Sequence, residues 1–574
     1  MKKSQKSKGT TSKNNENLER RRFMKYFFSI GLASILLPVV LWSKLRKPQE
    51  DKKLTIGTLK EATKISGLEF TETELEMMLE GLNQQLKNYQ KLRSVPLAND
   101  VPSSLGFDPI MPGMTFPETQ HPPKISQLKV SEVPTSLESV AFWSVTKLSQ
   151  LVKTRKVTSL KLTRMYLSRL KRYDKKLKCV VTLTEKLALK QAKQADREIA
   201  SGNYRGPLHG IPWGVKDLFA MRGYQTTWGA KPYQNQVIDK NATVIERLEE
   251  AGAVLVAKLT LGALAYGDVW YGGQTRNPWN LNDGSSGSSA GSSAATACGL
   301  VGFSIGTETL GSIVSPATVC GVTGLRPTFG RVSRYGAMSL SWSMDKIGPI
   351  CRSVEDCALV FDVIHGSDNR DGTVKDLPFN WDPDSDIHSL KIGYVESSFA
   401  KAHPNDQATL KKLREMGLNL VSIQLPDYPV ETMEFILSVE AAAAFDELTR
   451  SNQDNLLTRQ TKDAWPNIFR RARMIPAVEY VQANRLRWQV MDKMAELMSD
   501  IDLYVTPSFD SLLLTNLTGH PCVVLPNGFE KTNSSDVVPT SISFIGQLYG
   551  EAKLMTAAKA YQDITGFHLN YPQP

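Results

Sequence analysis

An α/β fold is predicted for residues 137–574, on three observations. Apolar runs of strand length alternate with amphipathic helical patterns. Turn residues punctuate the two. A glycine- and serine-rich tract at 283–293 lies between apolar runs in the middle of the domain. At 574 residues, with 41% apolar and 22% charged, the chain has an ordinary globular composition, enough for one large α/β unit with additions or for two domains.

Residues 1–18 are polar and rich in Lys, Ser and Asn, a composition that builds no core. Arg20-Arg21-Arg22-Phe23-Met24-Lys25 then precedes a charge-free run from Tyr26 to Trp42, and Lys44, Arg46 and Lys47 follow it. That is a basic segment followed by an apolar one, the order of an export signal. Residues 20–25 resemble the twin-arginine motif, with Glu19 where Ser or Thr is commoner. A plain membrane anchor is the other reading, since the seventeen residues of the run lie at the lower limit for a span. Both readings make the export machinery or the membrane a partner through residues 20–42. Both place the body outside the cytoplasm, periplasmic or membrane-anchored.

Leu54 to Arg93 reads as a helical satellite. Thr71 with Glu74 forms a capping box, and Leu75, Met78, Leu79, Leu82, Leu86 and Tyr89 recur at helical spacing. A Pro-rich connector from about Val95 to Pro134 leads to the main domain. The chain thus divides into 1–47, 48–136 and 137–574.

In the main domain, Thr158 or Ser159 caps a helix carrying Leu162, Met165, Tyr166 and Leu170. Val180–Leu183 reads as a strand and 184–201 as a helix. A turn at Leu208–Pro212 leads into a buried strand that ends on Lys216. The 243–251 stretch is a helix, 253–257 a strand, 292–297 a small-residue helix and 300–305 a strand. Later strands are expected at 390–394, 418–423, 502–506 and 522–525, and later helices at 441–450, 478–498 and 552–565.

Charge and cysteine usage exclude several functions. The net charge is +11, but residues 1–53 hold fourteen Lys/Arg against four Asp/Glu, so the body is nearly neutral. No basic stripe is left to track phosphates, and nucleic acid is set aside as a partner. The six cysteines form no CxxC pair and the seven histidines no HExxH, so neither metal nor other cofactor is expected. A homodimer remains admissible.

Two polar segments carry the chemistry. The first is the tract Gly284–Ser293, nine of whose ten residues are Ser or Gly. By composition alone that is a flexible linker, but its place between apolar runs argues against one. The second is Thr307-Glu308-Thr309-Leu310-Gly311-Ser312-Ile313, where a serine follows a glycine-containing turn whose backbone N–H groups can converge on an oxyanion. Helix then strand brings the segments together, and Ser312 is the candidate nucleophile. Lys216 ends an apolar strand, where burial would lower its pKa and free an amine to act as base.

Lys216 in Gly-Val-Lys-Asp, Gly-Ser-Ser-Ala-Gly-Ser-Ser at 287–293, Ser312 in Gly-Thr-Glu-Thr-Leu-Gly-Ser-Ile, and Cys320-Gly-Val-Thr-Gly-Leu-Arg-Pro-Thr-Phe-Gly together resemble the amidase signature family. The resemblance implies a large mixed central sheet covered by helices on both faces. It implies a Ser–cis-Ser–Lys triad acting on a small-molecule amide. Its relay serine falls twenty-four positions before the nucleophile, which selects Ser288, after Gly287, over Ser285. By the same resemblance the N–H groups of Thr309, Leu310, Gly311 and Ser312 form the oxyanion hole, with Gly287, Ser289 and Glu308 in support. Three departures stand out: Leu310 where the family usually has Gly, Glu308 where Asp is commoner, and Val314 where an arginine would pair with residue 308.

The implied activity is hydrolysis of a carboxamide C–N bond through an acyl-serine. Three rivals remain. Gly287-Ser288-Ser289-Ala290-Gly291 matches the G-x-S-x-G elbow of α/β-hydrolases, with His520 or His568 available, but that elbow must follow a strand directly. The second is a glutaminase subunit of an amidotransferase, and the third a non-catalytic scaffold.

Overall fold

The computed structural model describes residues 53–126, 130, 133–532 and 536–574. The basic and apolar segments at 20–47 lie outside them. Among the described residues no helix is long and apolar enough to cross a membrane. The described residues divide into two compact units, the first ending at Pro96 and the second beginning at Leu97.

In the first unit, helices α1 (Ile56–Ser66) and α2 (Glu72–Arg93) form a hairpin. The capping box starts α2: Glu74 N–H donates to Thr71 Oγ1 while the Glu74 carboxylate accepts from Thr71 N–H, satisfying donors a helix start leaves free. Leu59 and Leu75 are buried.

The second unit is built on an eleven-stranded sheet. Its strands are β1 (Val180–Leu183), β2 (Pro212–Lys216), β3 (Val254–Leu259), β6 (Phe303–Glu308), β7 (Thr323–Arg326), β8 (Lys346–Cys351), β9 (Lys391–Tyr394), β10 (Asn419–Ser422), β11 (Leu503–Pro507), β12 (Cys522–Lys531) and β13 (Val537–Gly546). β4 (Val269–Trp270) and β5 (Gly273–Gln274) pair separately. The order across the sheet is β1-β3-β2-β6-β8-β7-β12-β13-β11-β9-β10. β3, β2 and β6 run parallel, as do β11, β9 and β10, and antiparallel pairs join the two groups. The sheet is therefore mixed, as the resemblance implied.

Successive side chains of a strand point to opposite faces, and the core follows that alternation. Val254 and Val256 of β3 join one apolar cluster and Leu255 the other; on β12, Val524 joins the first, and Val523 and Leu525 the second. Both faces are thus covered, each buried Leu, Ile or Val contributing roughly 1.5–3 kcal/mol of transfer free energy.

The connector folds back on the body. Asn99 Nδ2 donates to the Ser339 carbonyl at 2.9 Å, and Gln120 Nε2 to the Phe379 carbonyl at 2.9 Å. All six cysteines are buried and free.

Several elements differ from expectation. The strand read at 300–305 runs instead from Phe303 to Glu308, because Gly299 adopts φ +58° and Leu300–Gly302 belong to the turn. The helix read at 441–450 is two, Phe435–Ala444 and Asp446–Arg450, broken at Phe445. β8 and β13 were not foreseen. β8 has Gly348-Pro349 at its centre, a pair that ordinarily marks a turn.

Candidate active site

Three segments converge at the end of β2. Lys216 is its last residue, flanked in the sheet by β3 and β6, and is fully buried. The serine tract lies against it, fixed on several sides. Ser286 N–H donates to Asp268 Oδ2 at 3.1 Å, the Ser286 and Ser315 hydroxyls share a hydrogen bond of 2.7 Å, and Cys320 Sγ lies 3.7 Å from the Ser285 carbonyl. The tract is part of the core. No strand leads into it: β5 ends at Gln274, and residues 275–284 are turns and irregular backbone with an isolated bridge between Arg276 and Gly284, so the nucleophile-elbow reading fails. His520 is buried with Nδ1 on Thr518 Oγ1, 2.7 Å away.

The peptide bond Gly287–Ser288 is cis. A Cβ on Gly287 would stand 1.9 Å from the Gly267 carbonyl oxygen, so only glycine fits. Lys216 Nζ donates to Ser288 Oγ at 2.8 Å, Ser289 Oγ at 3.0 Å and Thr307 Oγ1 at 2.9 Å. It is Ser288, and not Ser285, whose hydroxyl meets the lysine; Ser285 Oγ donates to the Ser286 carbonyl. Ser289 in turn accepts from Thr307 N–H at 3.2 Å, tying the tract to β6.

Burial pushes the Lys216 ammonium down to about 7, against the opposing pull of Asp345 and Glu308. A charged amine removed from water is disfavoured, and here hydroxyls rather than a carboxylate receive it. Near neutral pH an appreciable share of Lys216 is therefore the free amine.

After β6 the chain turns through Thr309–Ile313 into the helix Val314–Cys320. The left-handed position of this turn is Gly311, φ +78°. Glycine is retained where it is required, and Leu310 occupies a position an L-residue adopts freely. The N–H groups of Leu310, Gly311 and Ser312 have no acceptor among the described residues, so they are available as donors.

Glu308 holds this turn from beneath. Its Oε2 accepts from the N–H groups of Ile313 and Val314 at 2.8 and 2.9 Å, and its Oε1 from Arg326 Nη1 at 2.8 Å and Asn516 Nδ2 at 2.9 Å. Burial raises the carboxyl, but Arg326 and the Val314 N–H outweigh it and hold Glu308 at about 2. The charge partner that position 314 lacks is thus supplied by β7. Arg326 and Asn516 were missed as site residues. Arg326 stood inside a quoted motif, but nothing local signals a contact from two strands away in the sheet.

Ser312 is buried, and its hydroxyl makes no hydrogen bond among the described residues, to Ser288 or to any other group. The two serine segments are joined through the backbone instead: Ser289 N–H donates to the Ser312 carbonyl at 3.1 Å. Beside them Thr307, Thr309, Leu340, Asp345 and Lys346 line a small cavity. No cluster able to hold a metal ion occurs among the described residues.

The Amidase family model matches residues 161–515. The glutamyl-tRNA(Gln) amidotransferase subunits A of Acinetobacter baumannii and Geobacter metallireducens are each 32% identical to the chain, over 74% of it and 96% and 98% of their own length. Among solved structures, native peptide amidase from Stenotrophomonas maltophilia is 27% identical with a TM-score of 0.65, over 76% of this chain and 99% of that one. A bacterial aryl acylamidase of the amidase signature family shares the fold at TM-score 0.66 and 21% identity, over 75% and 97% of the two chains. The chain belongs to the amidase family, hydrolases that act on the carbon–nitrogen bonds of amides.

Proposed function

We propose that the protein hydrolyses a small-molecule carboxamide through an acyl-serine formed on Ser312, with Ser288 as proton relay and Lys216 as base. The observation that carries this reading is the 2.8 Å contact between Lys216 Nζ and Ser288 Oγ in a buried site, where the amine is driven toward its neutral form. Neutral Lys216 takes the Ser288 proton as Ser288 takes that of Ser312, and Ser312 Oγ bonds to the carbonyl carbon. The free N–H groups of Leu310, Gly311 and Ser312 receive the oxyanion, together with that of Thr309. Donors of this kind are worth on the order of 3 kcal/mol each. The C–N bond breaks as the proton returns along the same relay to the departing amine or ammonia, and water repeats the sequence to release the carboxylate. The Ser312–Ser288 hydrogen bond needed for the first transfer is absent at rest, as is common in unliganded sites, where such bonds tighten around substrate.

Single substitutions Lys216→Met, Ser288→Ala and Ser312→Ala, assayed for amine or ammonia release from a carboxamide panel, test the reading. It expects an active parent and three variants slowed by at least about 10³-fold; parent-like rates in any one remove that residue, and an inactive parent favours the scaffold.

A second reading is favoured by the relatives at 32% identity, which are subunits A of amidotransferases. In that case the chain releases ammonia from glutamine within a larger complex, and co-purification with partner subunits together with glutamine-restricted activity would select it. The basic and apolar segments at 20–42 support export or a membrane anchor. Fractionation of cells bearing Arg20→Lys and Arg21→Lys tests export by the twin-arginine route.

A further inference from the structure

The residue after which β8 begins was not singled out by any sequence motif, yet it binds the turn that carries Ser312. Thr309 Oγ1 donates to Asp345 Oδ1 at 2.5 Å, while Asp345 Oδ2 accepts from the N–H groups of Leu340 and Ser341 at 2.8 and 2.9 Å. The 340–345 turn is itself anchored. Ser341 Oγ donates to Glu440 Oε2 at 2.6 Å, Ser343 Oγ to Glu440 Oε1 at 2.7 Å, and Arg487 donates to the Ser343 hydroxyl and carbonyl at 3.0 and 2.9 Å. Asp345 therefore links this hydrogen-bonded wall to the turn whose Leu310, Gly311 and Ser312 N–H groups stand free.

Its charge matters as well as its bonds. Glu308 gives its charge to Arg326 in direct contact, and Asp217, next in the chain after Lys216, is turned to Lys258 at 2.8 Å. Among the described residues Asp345 accepts hydrogen bonds only from neutral donors. The other charges around it are Lys346, whose Nζ donates to the Met344 carbonyl, Arg334, which pairs with Asp371 at 3.0 Å, and Glu440 behind Ser341. Among the carboxylates that act on Lys216, the effect of Asp345 is the larger.

We propose that Asp345 is a positioning residue for the hydrolysis: its carboxylate holds Thr309, and with it the loop of Ser312, against the 340–341 turn, and supplies negative charge that acts on Lys216. This rests on Lys216 acting as the base. Removing the charge lets Lys216 lose its proton at lower pH, so the acid limb of the rate profile moves down; removing only the Thr309 bond slows the reaction without moving the limb.

The test is kcat and KM against pH for the parent and for Asp345→Asn, Asp345→Glu, Thr309→Val and Thr309→Ser, with melting temperatures alongside. Asp345→Asn is expected to lower kcat about tenfold, leave KM within about twofold and shift the acid limb down by roughly half to one pH unit. Asp345→Glu and Thr309→Ser keep the limb in place, and Thr309→Val loses rate with the limb unmoved. An Asp345→Asn enzyme that melts with the parent and keeps the parent's limb overturns the proposal. Should Asp345→Asn not fold, a displaced limb in Asp345→Glu overturns it instead. Lys216→Met separates the two readings: if it is inactive while the Asp345→Asn limb stays put, only the role of Asp345 falls; if it matches the parent, the base assignment falls.

Discussion

Lys216 and Lys258 stand side by side on adjacent parallel strands, with Val215 opposite Lys258 and Lys216 opposite Leu259. One step of register puts them on opposite faces of the sheet. Both are fully buried, and burial lowers the proton affinity of both. Their partners differ. Lys258 Nζ lies 2.8 Å from Asp217 Oδ1 and also donates to the Gln225 carbonyl and Thr226 Oγ1, each at 2.6 Å. Lys216 has three hydroxyls and, at 3.3 Å, the Thr307 carbonyl. A carboxylate in contact makes a buried lysine a structural cation; hydroxyls in contact leave it able to give up its proton.

Substitution of each by methionine exposes the contrast. The largest effect is on activity: Lys216→Met is expected to slow amide hydrolysis at least about 10³-fold, measured as product release under saturating substrate. Next is stability. Lys258→Met leaves Asp217 buried and unpaired, a loss of about 3–5 kcal/mol, readable in urea denaturation. Lys216→Met carries the opposite sign. Its folded pKa of about 7 lies below the free value of 10.5, so between those values the unfolded chain binds the proton more tightly and stability rises with pH. At pH 7 that variant should be more stable than the parent by roughly 2–4 kcal/mol, and the gain should shrink as pH rises toward 10. A gain that grows with pH would contradict the account. Smallest is an exposed pair for reference: Lys171 and Glu185, 2.8 Å apart and half-exposed, should lose no more than about 0.2–1 kcal/mol on Lys171→Ala.

The contrast also explains what could be read in advance. Lys216 and Ser312 lie in local patterns, an apolar strand ending on a lysine and a serine after a glycine turn, and local patterns survive in sequence. The capping box at Thr71 and Glu74 was legible for the same reason. Lys258 was not singled out, because Asp217 becomes its partner only when β2 and β3 pair. Glu308 and Arg326 repeat the lesson: Val314 stands where the family usually has an arginine to pair with residue 308, and the arginine that pairs comes from β7 instead. β8 was hidden by Gly348 and Pro349, which the buried centre of the sheet accommodates between β6 and β7.

The most direct test of the central claim is the rate at which a fluorophosphonate phosphonylates Ser312, with loss of fluoride, as a function of pH. A neutral Lys216 acting through Ser288 predicts a rate that climbs through pH about 7, the value set by burial of the ammonium, with the label lost in Ser312→Ala and the climb abolished in Lys216→Met. A parent rate that is flat from about pH 5.5 to 9, or a Lys216→Met variant labelled as fast as the parent, would contradict it.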